Sequence, residues 1–266
     1  MTPESLRIGD RCNMKLLDLF CGGGLAGAGY WQSGCFREIC GIDNNPDMKH
    51  VYPFDFVCAD AITLTYDFLL QFDFIHASPP CQAYSYATPD WARGRHLKLI
   101  PGTHLMLKAS GLPHVIENVP GSGLDLRPNL VLSGIDVGVP IKRPRYFHVA
   151  DEKITNSQFS QISCRANSHI NIDENSQISS AGNSKISGCH SSHLSINTGS
   201  NINLANVVNV HGDEYVSRHE LIAAFGLREL PVSHLRRLTI DHIVQGIPPA
   251  MTKLIAQSLF PRLLIG

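Results

Sequence analysis

The chain has 266 residues, 43% of them hydrophobic and 17% charged, and 22 Lys+Arg against 23 Asp+Glu leave a net charge of −1. That is enough to bury the core of one domain or two small ones, and it excludes a disordered polyelectrolyte; nor is there a basic bias toward non-specific nucleic-acid binding. No apolar run approaches the roughly 20 residues of a membrane helix, Met1–Asp10 has no signal-peptide core, and eight cysteines without C-x-x-C spacing suggest neither a disulfide framework nor a metal site.

Along the chain, short apolar strands alternate with amphipathic helices. Lys15–Phe20 reads as a buried strand ending in the turn Cys21-Gly22-Gly23-Gly24, followed by a helix over Ala26–Ser33. Glu38–Asp43 is a second strand, a third ends near Asp60, and Phe72–Ala77 is a fourth, stopped by Pro79-Pro80. His96–Ser110 reads as a helix, Val115–Asn118 as a strand closed by Pro120, and Tyr146–Val149 as another. Such alternation predicts an α/β fold with a mainly parallel sheet, which binds ligands beyond the carboxyl ends of its strands.

The composition changes after Ala150. From Asp151 to Glu214 there is no proline and one aromatic, Phe159. Ile154, Ile162, Ile170, Ile178, Ile186, Leu194, Ile202 and Val210 recur every eight residues, with serines two places before most of them. The period marks a true repeat. A thin β-solenoid with the aliphatic column inside and a flexible low-complexity insert fit it equally well. After Glu214 globular sequence resumes: Ser217 caps a helix over His219–Phe225, and a last helix runs from about Ala250 to Leu259. The expected organisation is a catalytic and cofactor-binding domain over 1–150, a repeat insert over 151–214, and C-terminal helices over 215–266 that complete the catalytic domain.

Four constellations carry chemistry. Asp18-Leu19-Phe20-Cys21-Gly22-Gly23-Gly24 places glycines directly after a strand, where the backbone can turn tightly and approach a ligand. Asp43, closing the second strand, suits the two hydroxyls of a ribose, and Asp60, closing the third, an adenine amino group. Together they point to a cofactor containing adenosine. Ser78-Pro79-Pro80-Cys81-Gln82 holds a cysteine in a polar, proline-stiffened turn, which favours a nucleophile over a buried small hydrophobe. Glu117-Asn118-Val119-Pro120 sets a carboxyl at a strand end, where it can activate a heterocycle; Arg143-Pro144-Arg145 offers an anion or base clamp.

In order and spacing, Phe20-x-Gly22-x-Gly24, Pro80-Cys81-Gln82, Glu117-Asn118-Val119 and Arg143-x-Arg145 resemble the DNA cytosine-5 methyltransferases. Gln245-Gly246-Ile247-Pro248-Pro249 resembles that family's last motif, and the stretch from Leu112 to Glu117 looks most like its short phage-encoded members. The resemblance implies a Rossmann-like methyltransferase fold and S-adenosylmethionine as cofactor, bound by Asp18, Phe20, Gly22, Gly24, Asp43, Asp60, Pro80 and Pro249. It implies Cys81 as the thiolate that adds to cytosine C6, with Glu117, Arg143 and Arg145 completing the catalytic set. DNA with a flipped cytosine is the implied partner and the cytoplasm of a bacterial or phage-infected cell the implied location, with no membrane and no metal. An RNA cytosine-5 methyltransferase and a catalytically silent cofactor-binding relative are the alternatives. The repeat stands where the family carries its target-recognition domain. Its net charge of −3, against +2 for the rest of the chain, suits phosphate poorly and implies that it does not read DNA in the usual way. Arg93, Arg95, His96 and Lys98 after the cysteine turn, with Arg218, are the expected cationic contacts instead.

Overall fold

The computed structural model describes residues 13–151 and 217–260, and the repeat lies outside the described residues. β1 (Met14–Leu19), β2 (Phe36–Asp43), β3 (Asp55–Cys58), β4 (Phe74–Ala77), β5 (His114–Asn118), β6 (Leu130–Leu132) and β7 (Arg145–Ala150) form one sheet in the order β3-β2-β1-β4-β5-β7-β6. β1 to β5 pair in parallel; β7 runs antiparallel between β5 and β6. The chain reverses its direction of sheet building between β1 and β4, and at such a switch point the loops above the strand ends part to leave a crevice.

Flanking the sheet are α1 (Leu25–Gln32), α2 (Tyr66–Leu69), α3 (Asp90–Arg93), α4 (Ile100–Ser110) and α5 (Gly123–Leu126), then α6 (Arg218–Ala224), α7 (Val232–Arg237), α8 (Ile240–Gln245) and α9 (Pro249–Leu259). The central strands are apolar on both faces because both are covered. Leu16 of β1 joins α1 and the C-terminal helices in one buried cluster. Leu17 and Leu19 point the other way, into a second cluster with Ile100 and Leu107 of α4.

Each strand read from the sequence is present. The helix read as His96–Ser110 begins instead at Ile100, because Pro101 fits only a first turn, where its missing N–H breaks no helical bond. β6 and the short helices α2, α3, α5, α7 and α8 are additions to the sequence reading. α6 starts at Ser217 as read, with a full capping box: Ser217 Oγ accepts from Glu220 N–H, and the Glu220 carboxylate accepts from Ser217 N–H.

The C-terminal helices lie against the glycine turn and α1. Thr252 of α9, fully buried, donates its hydroxyl to the Ala26 carbonyl at 2.8 Å. His234 of α7 donates its Nε2 hydrogen to the Gly23 carbonyl at 2.9 Å. A Cβ on Gly29 would sit 2.0 Å from the Pro249 carbonyl oxygen, so only glycine lets α1 and α9 approach this closely.

Candidate active site

At the carboxyl ends of β1, β2, β4 and β5 lies a cavity of about 590 Å³. The glycine turn after β1 forms one wall. Phe20 (φ 57°), Gly22 (φ 47°) and Gly24 (φ 79°) are all left-handed, a conformation free for glycine but strained for phenylalanine, and such strain gathers at ligand sites. Asp43 braces the turn: its carboxylate accepts from Gly22 N–H at 3.0 Å and from Asn45 N–H at 2.9 Å. Gly22, Gly24 and Gly27 stand in G-x-G-x-x-G spacing directly after β1. The third of them did not figure in the sequence reading, although a Cβ there would lie 3.0 Å from both Asp18 Oδ2 and the Tyr52 hydroxyl.

Asp18 is buried at the base of this wall. Its Oδ2 accepts from the Tyr52 hydroxyl at 2.9 Å, while its Oδ1 has no hydrogen-bond partner among the described residues. Burial pushes its carboxyl up to about 7, against the hydrogen bonds from Tyr52 and the Gly27 amide, with Asp43 adding to the rise. An orphaned, half-ionised carboxylate oxygen lining a cavity calls for a cation. With the open space over Gly22 and the free lone pairs of Asp43, this wall fits S-adenosylmethionine, which combines ribose hydroxyls with an ammonium and a sulfonium.

The opposite wall is chemically different. β4 ends at Ala77 and the prolines carry Cys81 into the cavity, where its carbonyl accepts the amides of Tyr84 and Ser85. Asn118 of β5 ties this turn down by donating its side-chain amide to the Pro79 carbonyl at 2.7 Å. Glu117 is buried beside it, paired with Arg145 of β7 at 2.9 Å between Oε1 and Nε. Burial pushes the Glu117 carboxyl above its usual range, against the opposing pull of Arg145, Arg143 and a hydrogen bond from Ser78. The Cys81 thiol is likewise pushed up, by burial first and then by Glu117, with both arginines pulling the other way. At neutral pH it is therefore a thiol, so the polar turn alone does not make it a ready thiolate.

Nine of the twelve site residues expected from the sequence line this one cavity: Asp18, Phe20, Gly22, Gly24, Asp43, Pro80, Cys81, Glu117 and Arg145. Asp60, Arg143 and Pro249 stand outside the lining. The Asp60 carboxylate caps the turn after β3, accepting from Ile62 N–H at 3.1 Å. Arg143 reaches away from the cavity to donate to the Val244 carbonyl and lies 5.6 Å over the Phe225 ring, tying β7 to the C-terminal helices. Pro249 begins α9 and turns its carbonyl toward Gly29. The sequence reading missed Thr239, Asp241 and His242, which close the cavity from the C-terminal side with Gln245, Gly246 and Ile247.

Of the expected cationic contacts, Arg95 stacks 5.1 Å over the exposed Trp91 ring, Arg93 pairs with Asp90, and Lys98 lies 3.5 Å from Asp125. Arg218 is engaged inward, donating to the Leu235 and Leu238 carbonyls. Among the described residues there is no group of three or more His, Cys, Asp or Glu that could hold a metal, and no helix long and apolar enough to cross a membrane.

The sheet order with its one antiparallel strand is that of a Rossmann-like fold, in which a wall of glycine turn and carboxylates faces a Cys–Glu–Arg wall across one cavity. Comparison with known proteins narrows the class. Residues 14–122 match the model of the C-5 cytosine-specific DNA methylases, a family whose methyl donor is S-adenosylmethionine. Among solved structures, S. pombe Dnmt2 methyltransferase matches with a TM-score of 0.55 at 16% identity, over 94% of this chain and 99% of that one. A putative DNA modification methyltransferase encoded within an E. coli prophage matches with a TM-score of 0.53 at 14% identity, over 96% of this chain and 100% of that one. A Spodoptera frugiperda DNMT2 mutant, 23% identical, is matched over 54% of this chain and only 51% of its own length, with a TM-score of 0.40. Comparison with curated proteins gives no match.

Proposed function

We propose that this chain methylates C5 of cytosine in DNA through a covalent bond between Cys81 and C6 of the base. The observation that carries the reading is the grouping of Cys81, Glu117 and Arg145 across one cavity from Asp18, Asp43 and the glycine turn. S-adenosylmethionine supplies an electrophilic methyl group. Cytosine C5 is a poor nucleophile until Cys81, giving up its thiol proton to water, adds through Sγ at C6 and drives an electron pair onto C5. Glu117, whose buried carboxyl holds a proton more tightly than usual, meets N3 and the exocyclic amine as that charge develops. Arg145 fixes the Glu117 carboxyl and steadies the base. Loss of the C5 proton and expulsion of Cys81 then restore the ring. Asp18, Phe20, Gly22, Gly24, Asp43 and Pro80 hold the cofactor, while Asp60, Arg143 and Pro249 serve the frame around it.

DNA is favoured over RNA by the description of the matching family and by the printed name of the prophage relative. The target cytosine must leave its stack to reach Cys81, at a cost of a few kcal/mol in a duplex. In this reading residues 1–150 and 215–266 form the catalytic domain and 151–214 are inserted into it, and the enzyme works in the cytoplasm of a bacterial or phage-infected cell. The test is transfer of a tritiated methyl group to unmethylated DNA and, separately, to tRNA. Label should enter DNA and vanish with Cys81→Ser, while calorimetric binding of S-adenosylhomocysteine is retained. Label in tRNA alone, or undiminished transfer by the variant, would overturn the proposal.

A further inference from the structure

We propose that His242 of α8 binds the carboxylate at the amino-acid end of the cofactor, donating its Nε2 hydrogen to it. This rests on the reading of the glycine-turn wall as the S-adenosylmethionine site.

The charge of the cavity sets the need. Four acidic side chains line it, Asp18, Asp43, Glu117 and Asp241, and only two lining side chains are of cationic type, Arg145 and His242. Arg145 is already committed, paired with Glu117 at 2.9 Å. S-adenosylmethionine brings a carboxylate as well as an ammonium. Asp18, with its unpartnered Oδ1, suits the ammonium. The carboxylate enters an acidic cavity only where a donor meets it, and His242 is the uncommitted one.

Two sets of contacts place the ring. A Cβ on Gly23 would lie 3.1 Å from His242 Cβ and 3.6 Å from its Cγ, so the imidazole root packs on the middle glycine of the turn. His234 of α7 holds the Gly23 carbonyl at 2.9 Å and fixes the C-terminal side against the same residue. The other contacts are at the start of α8. Thr239 Oγ1 accepts from His242 N–H, and His242 Nδ1 accepts from Thr239 N–H, both at 3.2 Å. This is a reciprocal capping box in which histidine stands where Glu or Gln is usual. An amide N–H can only donate, so Nδ1 is bare and the ring hydrogen sits on Nε2. Nε2 has no hydrogen-bond partner among the described residues. A glutamate would cap the helix as well but offer no N–H. The histidine caps with one nitrogen and keeps a fixed donor on the other.

The test is calorimetry on the full chain with two ligands. S-adenosylhomocysteine carries the carboxylate; 5′-deoxy-5′-(3-aminopropylthio)adenosine keeps the ammonium and lacks it. His242→Glu preserves the capping box and replaces the donor with a like charge. It should weaken S-adenosylhomocysteine by about tenfold or more and leave the amine no weaker. His242→Gln, which caps and still donates, should stay within about threefold of wild type for both ligands. In wild type, 1H–15N spectra should show the His242 Nε2–H signal moving downfield with S-adenosylhomocysteine and not with the amine. An affinity for S-adenosylhomocysteine unchanged in His242→Glu, a loss shared equally by both ligands, or an Nε2–H signal that ignores the carboxylate would overturn the proposal. Asp43→Ala tests the underlying reading separately. It should weaken both ligands alike, and if it weakens neither, the glycine-turn wall is not the cofactor site and the role of His242 falls with it.

Discussion

Asp18 combines a carboxylate oxygen without a partner, a place in the cavity wall, and a carboxyl pushed up to about 7 by burial. Just below neutrality it is mostly protonated in the free protein. A ligand carrying an ammonium or sulfonium beside it would favour the charged form and expel that proton. Binding of S-adenosylmethionine near pH 6.5 should therefore release up to one proton, fading toward zero as the pH rises above 8. Calorimetry in two buffers of different ionisation enthalpy measures this directly, with Asp18→Asn expected to show none. Equal heats in both buffers at pH 6.5 would show that Asp18 does not face the cofactor's positive charge. The same logic separates the two sides of the cavity. The Asp18 side is acidic and unsatisfied; the Glu117 side already has its counter-ion in Arg145 and needs none from a ligand.

Two glycines in helices make opposite predictions. Gly29 of α1 faces the Pro249 carbonyl and the Thr252 hydroxyl, each 2.0 Å from where a Cβ would stand. Gly29→Ala gains up to about 1 kcal/mol of helix propensity but forces α9 outward, an overpacking that costs about 1–3 kcal/mol and strains the Thr252 bond to Ala26. Gly102 of α4 has nothing within 4 Å of the same construction, and Gly102→Ala should stabilise the chain by about 0.5–1 kcal/mol. Urea midpoints should move in opposite directions; a shift of both the same way would mean that the α1–α9 contact is not close-packed. The difference between these glycines marks what the sequence could and could not show. β1, β4 and β5 were legible because apolar runs end in Gly or Pro, and a polar residue at such an end, as with Cys81 and Glu117, stands out. β6 is only Leu-Val-Leu, too short for its alternation to register. α7 and α8 have six residues each, too few for a helical period to show, and depend on Pro231 and the Thr239 cap for their start. The part of the cavity wall from Thr239 to His242 was invisible for another reason. It meets the glycine turn across more than two hundred residues of sequence, as in the bond from His234 to Gly23, and no local pattern encodes such a contact.

The protein as a whole holds several histidines in places where a charge is unwelcome. His76 is the extreme, pushed down to about 3 by burial, and burial also lowers His104, His114 and His234, with Arg127 contributing at His104 and Arg237 at His234. A base whose folded pKa lies below its unfolded value of about 6.5 stabilises the fold in its neutral form. That contribution is complete above pH 6.5 and is lost as the pH falls toward the folded value, which for His76 means down to about 3. Asp18, Glu117 and Asp136 act in the other direction, since their raised pKa values favour the protonated fold as the pH drops. Between pH 6.5 and 4 the proton that His76 takes up on unfolding is opposed by the one that Asp18 gives up, so the two contributions largely cancel. Below about pH 4 the Asp18 carboxyl no longer differs between the two states, and His76 differs until the pH nears 3. His76→Gln removes that one group, so the variant's stability, measured by urea unfolding, should change by about 1.4 kcal/mol per pH unit less toward unfolding than wild type between pH 6 and 4, the value of one proton. A variant whose stability follows the same pH profile as wild type would mean that His76 carries its charge in the folded protein.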